Sequence, residues 1–132
     1  MGKLSEDAKK LLGRPIPAWV TTLRPDGSLQ GTVVWIDVDG DEVLFNTAVG
    51  RVKERHLRED ARVSISVLDP DDPYHWINVS GTARLDTEGA EDTIDALAKK
   101  YLGVDSYPGR TPDEVRVNVR VTPDHVIYNS GQ

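Results

Sequence analysis

Between positions 46 and 58 the chain reads Asn46-Thr47-Ala48-Val49-Gly50-Arg51-Val52-Lys53-Glu54-Arg55-His56-Leu57-Arg58: a strand-like end, a glycine turn, then a helix-like start with four cations. A helix N-terminus presents unpaired N–H groups and partial positive charge, and a glycine lets backbone approach a ligand closely. Arg and Lys add charge-assisted hydrogen bonds, so the chemistry such a segment offers is phosphate binding. A solvated helix face whose cations pair with Glu54, Glu59 and Asp60 accounts for the same residues, and the residues alone leave both readings open.

Other chemistry finds little support. With no cysteine, disulfides, thiolate metal sites, cysteine nucleophiles and iron–sulfur clusters are excluded. His56, His75 and His125 lack metal-ligand spacing, so no metal site is expected. Phosphate-loop, dinucleotide-fingerprint, nucleophile-elbow and H-E-x-x-H patterns are all missing. Asp69-Pro70-Asp71-Asp72-Pro73 reads as an exposed loop rather than a cation site. Sixteen Lys and Arg against 22 Asp and Glu give a net charge of −6, which argues against nucleic-acid or anionic-membrane partners; an anionic ligand then needs a local basic site. No apolar run is long enough for a membrane span and MGKLSEDAKKLLG is too charged for a secretory signal, so a cytoplasmic protein is expected.

The elements that must position the basic segment are mostly strands. Sixteen Val, six Ile and nine Thr accompany one Phe and one Met in 132 residues, a length that suggests a single domain over 1–132. Strand runs are expected over 16–24, 29–38, 42–47, 61–68, 75–86, 115–122 and 125–128, several with the strict alternation of antiparallel strands. Pro25-Asp26-Gly27-Ser28 and Asp39-Gly40-Asp41 mark tight turns that tie the first three into a meander. Ser5 can cap a short helix ending at Gly13, and Thr87 a longer one running to Gly103 with Ala90, Ile94, Leu97 and Tyr101 on one face. Between them a short third helix is expected over 51–60.

The order of meander, Gly50-Arg51-x-Lys53, Leu57-x-x-Asp60-x-Arg62 and an alternating strand resembles the flavin-reductase-like split β-barrels related to pyridoxamine 5′-phosphate oxidase. Within them Thr21-Thr22-Leu23-Arg24-Pro25-Asp26-Gly27, Asp69-Pro70-Asp71-Asp72-Pro73-Tyr74 and Lys100-Tyr101-Leu102-Gly103-x-x-x-Tyr107-Pro108-Gly109-Arg110 resemble the branch that uses the deazaflavin coenzyme F420. The resemblance covers nearly the whole chain. It implies a mainly β, six- to seven-stranded antiparallel split barrel with short covering helices, working as a homodimer with cofactor grooves between protomers.

It also implies a site. The phosphate-bearing arm is expected on Val49, Gly50, Arg51, Lys53, Arg55 and His56, and the ring along the second strand at Gln30, Gly31, Thr32, Val33 and Val34, where backbone groups can bond its pyrimidine-like edge. Trp76 and Ile77 are candidates for the same groove, with a core or interface tryptophan as the alternative for Trp76. Pyridoxamine phosphate oxidases proper continue into a C-terminal segment that helps bind the pyridoxal substrate, whereas this sequence ends at Gln132, and that favours the deazaflavin branch. The implied activity is hydride transfer between coenzyme F420 and a small unsaturated substrate, with the organic chemistry residing in the cofactor. No residue is a compelling general acid; Tyr74, His75 or solvent could supply the proton. An FMN-dependent oxidoreductase on the same barrel and a non-catalytic F420 or flavin carrier are the alternatives.

Overall fold

A computed structural model describes residues 2–131. The β-branched runs form seven strands: β1 (Ala18–Leu23), β2 (Leu29–Val34), β3 (Ile36–Asp39), β4 (Glu42–Ala48), β5 (Arg62–Leu68), β6 (His75–Asp86) and β7 (Arg116–Ser130). They make one sheet of order β2-β1-β5-β6-β7-β4-β3 with every pairing antiparallel. The edge strands β2 and β3 are separated in sequence by Trp35 alone, so both edges belong to one stretch of chain and the sheet curls into a split barrel. Inward residues fill it; Val20, Ile36, Phe45, Ile65, Ile77 and Val119 are fully buried.

Three helices cover the barrel: α1 (Glu6–Leu12), α2 (Val52–Glu59) and α3 (Ala90–Leu102). Ser5 caps α1 as its sequence suggests, its Oγ accepting the Ala8 N–H at 3.1 Å. The Lys100-Tyr101 motif clamps the break between β2 and β3. Tyr101 Oη accepts the Ile36 N–H at 3.1 Å and donates to the Ile16 carbonyl at 2.8 Å, while Lys100 Nζ donates to the Ile36 carbonyl at 2.6 Å. Such bonds satisfy backbone groups that a sheet edge otherwise leaves open.

Three expectations are corrected. The run 29–38 is two strands, because Tyr101 and Lys100 hold the chain in a corner at Trp35. The runs 115–122 and 125–128 are one strand, β7: a bulge at Ser80/Gly81 absorbs the irregularity around Pro123. Gly81 makes this possible, since a Cβ there would meet the Thr122 carbonyl oxygen at 2.1 Å. Thr87 does not cap α3 with its side chain; Gly89 at φ +72° is the N-cap, and the Thr87 carbonyl accepts the Ala90 N–H at 3.2 Å. Trp35, at that corner, is half-buried and stacks on Tyr101 with ring centroids 5.5 Å apart.

The register puts other apolar residues on the barrel's outer face. Trp19 on β1 lies opposite Val33 on β2 and Ser66 on β5, and the two apolar side chains are 59% and 51% exposed. Leu29, Leu68 and Ile127 are also exposed.

Candidate functional site

The start of α2, the end of β2, β4, the start of β7 and α3 enclose an open cavity of about 330 Å³. Val33, Val34, Trp35, Ile94 and Leu97 give it an apolar wall, Tyr107 an aromatic one, and Arg51, Lys53 and Arg116 three cations. Gly50, at φ +88°, makes the turn that brings α2 to this edge. Its N–H is not free for a ligand, because the buried Glu54 reaches back and accepts it at 2.8 Å. Glu54 also pairs with Arg58, and Arg51 pairs with Glu114 at 3.2 Å. Lys53 differs: among the described residues no carboxylate pairs with it, it is half-buried, and burial followed by the neighbouring Arg51 charge lowers its pKa. An ammonium left in that position favours an anion arriving from outside.

The expected site residues divide. Val33, Val34, Arg51 and Lys53 line the cavity; Val49 and Gly50 are exposed outside its lining, Val49 bordering a separate hollow with Glu54 and Arg58. Gln30, Gly31 and Thr32 continue β2 away from the lining, with the Thr32 hydroxyl buried and lacking a hydrogen-bond partner among the described residues. Arg55 and His56 border a separate hollow with Pro25 and Glu59. His56 is buried and its Nδ1 lies 2.8 Å from the Thr22 hydroxyl, so it docks α2 onto β1. Ile77 is in the core, and half-buried Trp76 lies between Leu68 and Asn129 on the outer face.

The Asp69–Tyr74 segment is more ordered than an exposed loop. Asp69 is buried, bonded through Oδ2 to His75 Nδ1 and to Arg14, both at 2.9 Å, and through Oδ1 to the Asp71 N–H. The His75 bond, then the Asp71 N–H and Arg14, hold its carboxyl down at about 2. A carboxylate only accepts, so the ring donates from Nδ1, and its Nε2 lies 2.9 Å from the Tyr128 hydroxyl. With both nitrogens engaged, His75 has none to present to a substrate. Tyr74 is exposed outside the cavity lining.

Residues 4–130 match the pyridoxamine 5′-phosphate oxidase family. The chain belongs to that family. Among solved structures it is similar to an F420 reductase, with 29% identity over 90% of this chain and 94% of the other and a TM-score of 0.79. A conserved hypothetical protein from Mycobacterium tuberculosis shares 22% identity over 96% and 85% of the two chains with a TM-score of 0.77. General Stress Protein 26 from Bacillus anthracis shares 16% over 96% and 94% with a TM-score of 0.70. The last two show the fold. No curated protein matches significantly.

Family membership and the similarity to an F420 reductase support an oxidoreductase of the flavin or deazaflavin type. The residues that sequence reasoning missed are those of β4, β7 and the loop after α3. Arg116, Asn46 and Thr47 are buried beneath α3, and Tyr107 is brought to the wall by Asp95, which accepts its N–H at 2.8 Å and pairs with Arg110 at 2.9 Å. Tyr107 was within reach, since it belongs to the motif that carried the resemblance. Arg116 was hidden by the alternation of β7, in which it reads as one more solvent-facing position. Among the described residues no helix is long and apolar enough to cross a membrane.

Proposed function

We propose that the protein is a coenzyme F420-dependent oxidoreductase that transfers a hydride between the deazaflavin and a small unsaturated substrate. The observation that carries this reading is Lys53: a half-buried ammonium without a carboxylate partner among the described residues, beside Arg51, on a cavity whose apolar wall includes Val33, Val34 and Trp35. Its donor set fits a cofactor that joins a flat ring to a phosphate. Arg51 and Lys53 would hold the phosphate. Among the described residues β2 pairs with β1 alone, so its free edge can bond the ring's polar rim, and Val33, Val34 and Trp35 would exclude water from the apolar body.

Bound reduced deazaflavin would supply the hydride, so the chain's task is to hold ring and acceptor at about 3–3.5 Å. His75 is occupied by Asp69 and Tyr128, and Tyr74 lies outside the cavity lining; in this reading the proton comes from solvent. The similarity to an F420 reductase supports the deazaflavin over FMN. A homodimer is part of the proposal: the exposed Trp19–Val33 face of β1 and β2 would be covered by a second copy, which also narrows the open cavity.

The test is to mix the protein with reduced coenzyme F420 and follow deazaflavin reoxidation with quinone, dye and tetrapyrrole acceptors. Protein-dependent oxidation supports the enzyme. Tight binding without turnover for any acceptor favours a carrier.

A further inference from the structure

The start of β7 carries a group that a single phosphate site does not use. Arg116 is only 4% exposed, an unusual position for a guanidinium. Asn46 Oδ1 accepts its Nε–H at 2.8 Å, Glu114 Oε2 accepts from Nη1 at 3.3 Å, and the Tyr107 ring packs against it with centroid 5.3 Å away. Two of its five N–H groups are thus engaged; Nη2 has no protein partner among the described residues, and the side chain forms part of the cavity wall. A fixed, desolvated guanidinium with spare donors facing a cavity is disposed to take an acceptor from a ligand.

The local charge balance agrees. Glu114 Oε2 serves Arg51 at 3.2 Å and Arg116 at 3.3 Å, so one carboxylate is shared by two guanidiniums while Lys53 has none. Arg51 and Lys53 come from the start of α2, whereas Arg116 comes from β7 on the far side of Glu114. One phosphate on the α2 pair leaves Arg116 with the shared Glu114 oxygen as its one anionic partner among the described residues.

We propose that Arg116 forms a second anion subsite in this cavity, specific for a carboxylate, so that the site takes two anionic groups. The inference rests on the proposed cofactor reading for the first anion. Arg116's planar fork suits the two oxygens of a carboxylate, and Asn46, Glu114 and Tyr107 hold it in place before the ligand arrives. The carboxylate belongs either to the cofactor beyond its phosphate or to the substrate.

Four probes separate these sources: coenzyme F420 with its glutamate tail, coenzyme F420 without it, FMN, and citrate as a plain polycarboxylate. Binding is read by fluorescence quenching for the first three and by the shift in melting temperature for citrate, with parent, Arg116→Gln and Glu114→Gln proteins. If the cofactor supplies the carboxylate, Arg116→Gln should weaken tailed F420 about tenfold and leave FMN unchanged, with the tail-free form weakened as well when the carboxylate held is the one next to the phosphate. If the substrate supplies it, both F420 forms bind unchanged and only the citrate shift disappears. Glu114→Gln keeps Arg116 in place and removes its competing charge, so citrate should bind more tightly. Equal weakening of all four probes by Arg116→Gln, or unchanged binding of all four, overturns the subsite; so does unchanged citrate binding in Glu114→Gln, which decides the matter if Arg116→Gln fails to fold. Should the parent bind neither F420 form, the cofactor reading fails while the citrate arm still judges Arg116.

Discussion

Lys53 holds a charge that its surroundings do not balance, and that imbalance makes it the most informative side chain in the molecule. Lys53→Ala should weaken cofactor binding by ~1.5–3 kcal/mol, roughly ten- to a hundred-fold, with a smaller loss at high salt. Melting temperature should stay level or rise slightly, since a desolvated ammonium is removed. Lys9→Ala is the control: Lys9 is on α1, paired with Asp41 at 3.2 Å. Burial and Arg51 lower the Lys53 pKa, so binding should decline with rising pH before the ordinary lysine value of 10.5 is reached. Lys53→Arg, charged throughout, should flatten that decline in the same titration. Among the basic residues, the sequence revealed the cluster but not its division between two surfaces. Helical spacing could have separated Lys53 from His56, yet the inward turn of His56 depends on Thr22, thirty-four positions away.

At the scale of elements, two polar contacts hold the barrel's covering segments. His56 anchors α2 to β1 through the buried Thr22 hydroxyl, and His56→Ala leaves that hydroxyl without its partner; a loss of about 1–3 kcal/mol in chemical denaturation is expected, against none for the exposed Arg55→Ala. Asp69 ties the β5–β6 connection to Arg14 and His75. Its carboxyl sits at about 2, below the usual 3.8, so its contribution to stability is complete above about 3.8 and lost as pH falls through about 2. Asp69→Asn should therefore melt below the parent at pH 7, with the gap closing between those two values; a gap independent of pH would contradict the assignment. Strand identity was legible because alternation and turn residues are local signals. The break at Trp35 and the union of the last two runs were not, because Tyr101 and Lys100 impose the first and Gly81, facing Thr122 across the sheet, permits the second. The wall built from Asn46, Arg116 and Tyr107 was hidden for the same reason, being assembled from three distant segments.

For the whole molecule, the sheet's outer face and the cavity are neighbours: Val33 lies opposite Trp19 on that face and also lines the cavity. An obligate dimer burying ~2,000 Å² or more should persist at micromolar concentration. Sedimentation of the parent should report a dimer, and Trp19→Asp combined with Ile127→Asp a folded monomer with weakened cofactor binding; Leu102→Asp, at the end of α3, should leave the dimer intact. A monomeric parent would remove the second copy from the site. The net charge of −6 leaves the cations at this cavity as a local basic site in an acidic chain, so anion affinity should depend on these side chains rather than on the field of the protein. Cofactor choice is tested by equilibrium titration of the purified, ligand-free protein with coenzyme F420 and with FMN, read by fluorescence quenching. The account predicts saturable binding of F420 at least about tenfold tighter than FMN, a difference of about 1.4 kcal/mol. Purification of a yellow protein with tightly held FMN and weaker F420 binding would contradict it.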